Sequence, residues 1–168
     1  EEACAALEGT EAANVFSSGM GAITATILQL CKSEDHIISS RTVYGGTYAF
    51  LKNFTPQLKI ETTFVDITSL DDINNSIKPN TKIIYCEVSS NPLLEIADLE
   101  EISKIAKKNN IKLVVDNTFT PLSISPAKYG ADVVIHSLTK FINGTSDTIA
   151  GVVSVSYTHL TLPTSIQV

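Results

Sequence analysis

Residues 111–140 read IKLVVDNTFTPLSISPAKYGADVVIHSLTK, and two apolar runs inside this stretch decide the fold. KLVVD (112–116) and ADVVIH (131–136) are short and strand-like, and neither alternates polar with apolar positions. Strands of that kind are buried on both faces, which is the habit of a parallel sheet covered by helices. Working outward, the chain keeps alternating strand and helix. Residues 12–17, 35–40, 60–66 and 82–87 read as further strands. Helical spacing runs over 19–32 through Ile23, Ile27, Leu30 and Cys31, and over 46–54 through Tyr48, Leu51 and Phe54. Ser69 begins a capped helix over 69–77. Asp98, with Glu101 three residues on, begins the clearest helix, 98–109, whose final lysines suit the negative pole of its dipole. An α/β fold with a mostly parallel sheet between helices is predicted.

The chain's 168 residues are enough for one domain with a core of its own. A net charge of −6 argues against a nucleic-acid or anionic-membrane surface, which needs a basic patch. The acidic start EEACAALEG lacks the basic region of a secretion signal, and no apolar run reaches the ~20 residues of a membrane span, so a cytoplasmic protein is expected. Cys4, Cys31 and Cys86 are odd in number and widely spaced. They read as free thiols, neither a disulfide framework nor a zinc site, and no metal is expected. The sequons at Asn53, Asn74 and Asn143 are then chance matches.

Ligands of parallel sheets sit outside the carboxyl ends of the strands, so the residues found there indicate the chemistry. After the first strand comes SSGMGAI (17–23), small residues leading into a helix whose free N–H groups suit a phosphate. Tyr44 follows the second strand, before a Gly-Gly turn. Asn91 precedes Pro92 after KIIYCE. Asp116 ends KLVVD, a costly position for a carboxylate without a partner. Ser137, Thr139 and Lys140 follow ADVVIH. Taken singly, each has a plain structural explanation: a helix cap, a packed tyrosine, a turn, a core ion pair, a lysine reaching from a strand end to water. Together they fit pyridoxal 5'-phosphate. Its aldehyde takes a lysine amine, its ring nitrogen a carboxylate, its phosphate N–H and O–H donors, and its ring face an aromatic side chain.

The same residues carry a resemblance. LEGTEAANVFSSGMGAI, YGGTYAF, VDNTF, SPAKYGADVVIHSLTKFINGTSD and IAGVV resemble, in order from about residue 7 to 153, the Cys/Met-metabolism family of pyridoxal-phosphate enzymes. That family includes methionine γ-lyase, cystathionine γ-synthase, cystathionine lyases and O-acetylhomoserine sulfhydrylase. The resemblance implies fold type I and homotetramers built from catalytic dimers. It implies that Lys140 forms the Schiff base, Asp116 holds the pyridine nitrogen, and Tyr44 stacks on the ring and helps move protons. By the same resemblance Gly19 and Met20 give backbone donors to the phosphate, Ser137 and Thr139 give it hydroxyls, and Asn91 lies near the phenolic oxygen. The substrate is then a sulfur amino acid or an O-acyl-homoserine, and TTFVDIT and LSISPAKYGADVV look most like methionine γ-lyases. The alternative is γ-replacement, as in the sulfhydrylase or cystathionine γ-synthase. Gly46 stands where several bacterial methionine γ-lyases carry a reactive cysteine.

The chain also departs from the family. Family members are more than twice as long, with an N-terminal arm and a C-terminal domain whose arginine binds the substrate carboxylate. Residues 1–153 are therefore expected to be a central piece of the cofactor-binding domain, incomplete and inactive alone. Residues 154–168 are expected to be a non-native tail, since VSYTHLTLPT resembles translated adapter readthrough. Three rivals remain. A dinucleotide-binding protein would need the glycine fingerprint, which is missing. A serine hydrolase would need a G-x-S-x-G elbow, also missing. A non-catalytic scaffold stays open because Arg41 is the one arginine.

Overall fold

Strands β1 (Ala12–Phe16), β2 (His36–Ser40), β3 (Glu61–Val65), β4 (Thr81–Glu87), β5 (Lys112–Asp116), β6 (Val133–Ser137) and β7 (Gly151–Val155) form one sheet in the order β1-β7-β6-β5-β4-β2-β3. The computed structural model describes residues 1–145 and 147–155. Pairings from β3 through β6 are parallel, and β7 runs antiparallel to both its neighbours. The mostly parallel sheet is as predicted. The antiparallel return of β7 is new: Ser137 pairs with Gly151, so β6 and β7 form a wide hairpin whose loop carries Lys140. Strand β7 extends through Ser154 and Val155, both buried, two residues into the expected tail. The rest of that tail lies outside the described residues.

Burial on both faces explains the unbroken apolar strands. On one side Ala22, Ile23 and Ile27 of helix α2 (Gly19–Leu30) pack on Ile37, Ile83, Val114, Ile135 and Val153. On the other, Ile73 of α4 (Leu70–Asn75) and Leu99, Ile102 and Ala106 of α5 (Leu99–Lys108) cover Ile38, Ile84, Leu113 and Val115. Successive residues of each strand thus serve opposite cores. The caps act as the sequence indicated: the Ser69 hydroxyl accepts the Asp72 N–H, and the Asp98 carboxylate accepts the Glu101 N–H.

Of two further helical segments, only the second differs from expectation. Helix α1 (Glu2–Glu8) closes on Gly9, whose φ of 68° is the left-handed value glycine adopts without penalty. The helix expected over 46–54 is α3 (Gly45–Ala49) widening into a π turn, Phe50–Phe54, and then a 3-10 turn, Thr55–Leu58. The Thr55 hydroxyl donates to the Leu51 carbonyl, and Pro56 has no N–H to continue the α-helical ladder. No helix among the described residues is long and apolar enough to cross a membrane.

Candidate active site

The parallel strands β2, β4, β5 and β6 all end on one side of the sheet, where helix α2 begins. A cleft of about 550 Å³ opens there. Its lining includes Gly19, Met20, Tyr44, Asn91, Asp116, Ser137, Thr139 and Lys140, so all eight residues singled out in the sequence meet at one opening. They come from five separate stretches of chain.

The α2 end is built by close approach. Ser18 caps the helix, its hydroxyl accepting the Gly21 N–H at 3.0 Å. The N–H groups of Gly19 and Met20, next in line, have no partner within the chain among the described residues. A Cβ on Gly19 would fall 2.7 Å from Cβ of Ser137, so only glycine lets the helix start lie against the end of β6. Gly151 answers the same need from β7, since a Cβ there would run into the Ser18 carbonyl. Sequence reasoning did not single out Gly151; its role depends on the unforeseen strand.

Asp116 is buried. Its Oδ1 accepts the Thr118 N–H at 2.9 Å and its Oδ2 the Tyr85 hydroxyl at 3.3 Å. Burial raises its pKa, and the hydrogen bonds from Thr118, then the nearby His136 and the Tyr85 hydroxyl, work against that rise. Burial likewise pushes the Tyr85 phenol well above its usual value, so it stays a neutral donor. Thr118 also ties the site together, its Oγ1 accepting the Ser137 N–H at 2.7 Å.

Glu87 lines the cleft too, and the sequence reading passed over it. It ends β4 directly opposite Asp116 on β5. Burial, then the Asp116 charge, push its carboxyl up to about 7. The signal was available: like Asp116, Glu87 is a carboxylate closing an apolar strand.

Tyr44 is 58% exposed, with its backbone N–H donating to Glu87 Oε1 at 2.6 Å. Asn91 is exposed and joined to Pro92 by a cis peptide bond. Lys140 is exposed, and its ammonium forms no ion pair among the described residues. Thr139 lines the cleft, but its hydroxyl donates to the Ala150 carbonyl at 3.3 Å and accepts the Ala150 N–H at 3.1 Å. That bond pins the Lys140 loop to the start of β7.

The cysteines do not compete for chemistry here. Burial pushes the thiols of Cys31 and Cys86 up to about 12, and neither lines the cleft.

Comparison with known proteins gives a consistent picture. The family described as "Cys/Met metabolism PLP-dependent enzyme" matches residues 1–167. A methionine gamma-lyase of Arabidopsis thaliana is 50% identical over 151 residues, covering 89% of this chain and 34% of the relative. A cystathionine gamma-lyase of Bacillus subtilis is 49% identical over 148 residues, covering 88% of this chain and 39% of the relative. The solved structure of a cystathionine gamma-lyase from Lactobacillus plantarum, complexed with L-serine, superposes with a TM-score of 0.89 at 36% identity. That match covers 91% of this chain and 40% of the solved one. The chain thus spans well under half the length of these relatives.

Proposed function

The chain belongs to the Cys/Met metabolism PLP-dependent enzyme family, and we propose that the whole protein is a C–S lyase of the methionine γ-lyase type. It releases an oxo acid, ammonia and a thiol from a sulfur amino acid. The observation that carries this reading is the meeting of Lys140, Asp116, Tyr44, Asn91 and the first turn of α2 in one cleft.

The residues present fit pyridoxal phosphate. Gly19 keeps a cradle between α2 and Ser137 that a Cβ would fill. Asp116 is a buried acid with no cation bonded to it among the described residues, a debt that a protonated heterocycle would settle. When bound, pyridoxal phosphate supplies an aldehyde for amine condensation and a ring that withdraws electrons from the substrate α-carbon.

The remaining work belongs to the chain's own groups. Lys140 Nζ would hold the cofactor's aldehyde and, when free, would take and return protons at the substrate α- and β-carbons. Asp116 would keep the ring nitrogen protonated. Tyr44 would offer its ring as an aromatic contact, and its phenol would move a proton at the departing sulfur. The N–H groups of Gly19 and Met20, with the hydroxyls of Ser137 and Thr139, bind phosphate. For Thr139 this requires exchanging its bond to Ala150. Asn91 holds the phenolic oxygen. A homo-oligomer completes the reading, supported by the exposed apolar side chains Leu93, Leu94, Ile96, Leu122 and Phe141 on the loops at this end of the sheet.

Full-length protein loaded with the cofactor should show the visible absorption band of a lysine-bound aldehyde and release thiol and oxo acid from methionine. Lys140→Ala should abolish the band and lower turnover by about 10³-fold. A band that survives Lys140→Ala overturns the assignment. A protein that releases no thiol from methionine, but joins a thiol to an O-acyl-homoserine, is instead a γ-replacement enzyme.

A further inference from the structure

We propose that Glu87 is a positioning residue that clamps the Tyr44 loop to the end of β4 and so sets how the aromatic ring lies over the cleft. The inference deepens the functional reading above and rests on it for the identity of what the ring covers.

The Tyr44 ring has little else to hold it. It is more than half exposed and makes no ring–ring contact among the described residues. A Cβ on Gly46 would lie 2.6 Å from Tyr44 Cε1 and 3.1 Å from Met20 Sδ, so ring and thioether share the space above a residue without a side chain. What fixes the backbone beneath the ring is the 2.6 Å bond from the Tyr44 N–H to Glu87 Oε1, spanning 43 residues of sequence. The Tyr44 φ and ψ, −46° and 135°, are those of a residue entering a helix rather than inside one. Its N–H therefore belongs to the group that a helix cannot satisfy by itself, and a carboxylate is the strongest acceptor a neighbouring strand can offer. The Asn91 N–H also favours the charged form of Glu87. One side chain thus gathers backbone from the loops after β2 and β4, which carry two of the proposed cofactor contacts. Strand register holds Glu87 itself, opposite Asp116. A shift of the clamp would therefore move the ring relative to Asp116, the two groups expected to grip the same heterocycle from its face and its edge.

The test uses the full-length protein with Glu87→Ala, which removes the acceptor, and Glu87→Gln, which keeps an acceptor oxygen and loses the charge. Amide hydrogen exchange, read in the cofactor-free protein, is independent of whether the functional reading holds. In Glu87→Ala, exchange at Tyr44 should speed up by about tenfold, the scale of one lost charge-assisted hydrogen bond. Exchange in α5 and β5 should not change. In Glu87→Gln most of the protection should return. With cofactor bound, Glu87→Ala should weaken its circular dichroism, which reports ring orientation, while Glu87→Gln keeps it. Unchanged exchange at Tyr44 in Glu87→Ala overturns the clamp, as does faster exchange spread evenly over the sheet. Failure of the wild-type protein to bind pyridoxal phosphate would sink the functional reading and leave the exchange result to decide the clamp.

Discussion

Glu87 and Asp116 end adjacent strands, and burial raises the pKa of both acids. For Glu87 the second cause is the Asp116 charge, while the backbone N–H groups of Tyr44 and Asn91 pull the other way. An acid whose folded pKa lies above its unfolded value holds its proton more tightly when folded. Its contribution to stability is complete below the unfolded value of 4.5 and is lost as pH rises through about 7. The ceiling on that loss is ~3 kcal/mol, since each tenfold change in proton affinity is worth about 1.4 kcal/mol, and partial solvent access lowers it. The paired surface acids Glu61 and Asp66 shift downward and give the opposite slope at lower pH, so the useful quantity is a difference. In urea titrations of the cofactor-free protein, Glu87→Gln should gain stability over wild type between pH 5 and pH 8, by roughly 2 kcal/mol. A wild-type–variant difference that stays constant across that range would show that Glu87 titrates as an ordinary carboxylate.

At the scale of elements, helix α1 is joined to the site through its last residue. Glu8 is buried beneath the strand ends, its Oε1 2.5 Å from His136 Nε2 of β6 and 3.0 Å from Asn117 Nδ2, just past β5. Its carbonyl accepts the Ser125 hydroxyl at 2.6 Å. One glutamate therefore fixes the residues next to Asp116 and Ser137 from behind the cleft. Removing one partner of a buried hydrogen bond leaves the other unsatisfied, at a cost of about 1–3 kcal/mol. Glu8→Ala should lose that much in a denaturant titration. Glu8→Gln, which can still accept from Asn117, should lose roughly half as much. Equal losses for the two variants would show that the volume of the side chain matters and its bonds do not. Nothing near Glu8 in EEACAALEG hints at this role, because its partners lie 109 and 128 positions away. Capping works within a few residues, and for that reason the starts of α4 and α5 were legible while the anchoring of α1 was not.

For the whole molecule, legibility followed the same divide. Burial on both faces writes itself into each strand separately, so KLVVD and ADVVIH revealed a parallel sheet without any knowledge of pairing partners. The direction of β7 depends on where the chain goes after Lys140, and GVVSV looks alike whichever way it runs. The cleft residues were readable because a parallel sheet gathers its strand ends on one side. Glu87 obeyed that rule and was still missed, since its role lies in a bond to Tyr44, in the loop after the neighbouring strand β2. The same gathering shows what the described residues do not bring to the cleft. An amino-acid substrate presents a carboxylate, which a guanidinium grips with two parallel bonds. Arg41 is the chain's one arginine; its Nη2 lies 2.6 Å from Asp66 Oδ2, and it does not line the cleft. Lys140 is the cleft's one lysine among the described residues, and on the proposed reading its amine is committed to the aldehyde. The 168-residue chain should therefore produce oxo acid from methionine at least ~10²-fold more slowly than the full-length protein, because an unanchored substrate is poorly oriented for proton transfer. Side-by-side assays at saturating cofactor make the comparison, and comparable rates would mean that substrate is held without a guanidinium clamp.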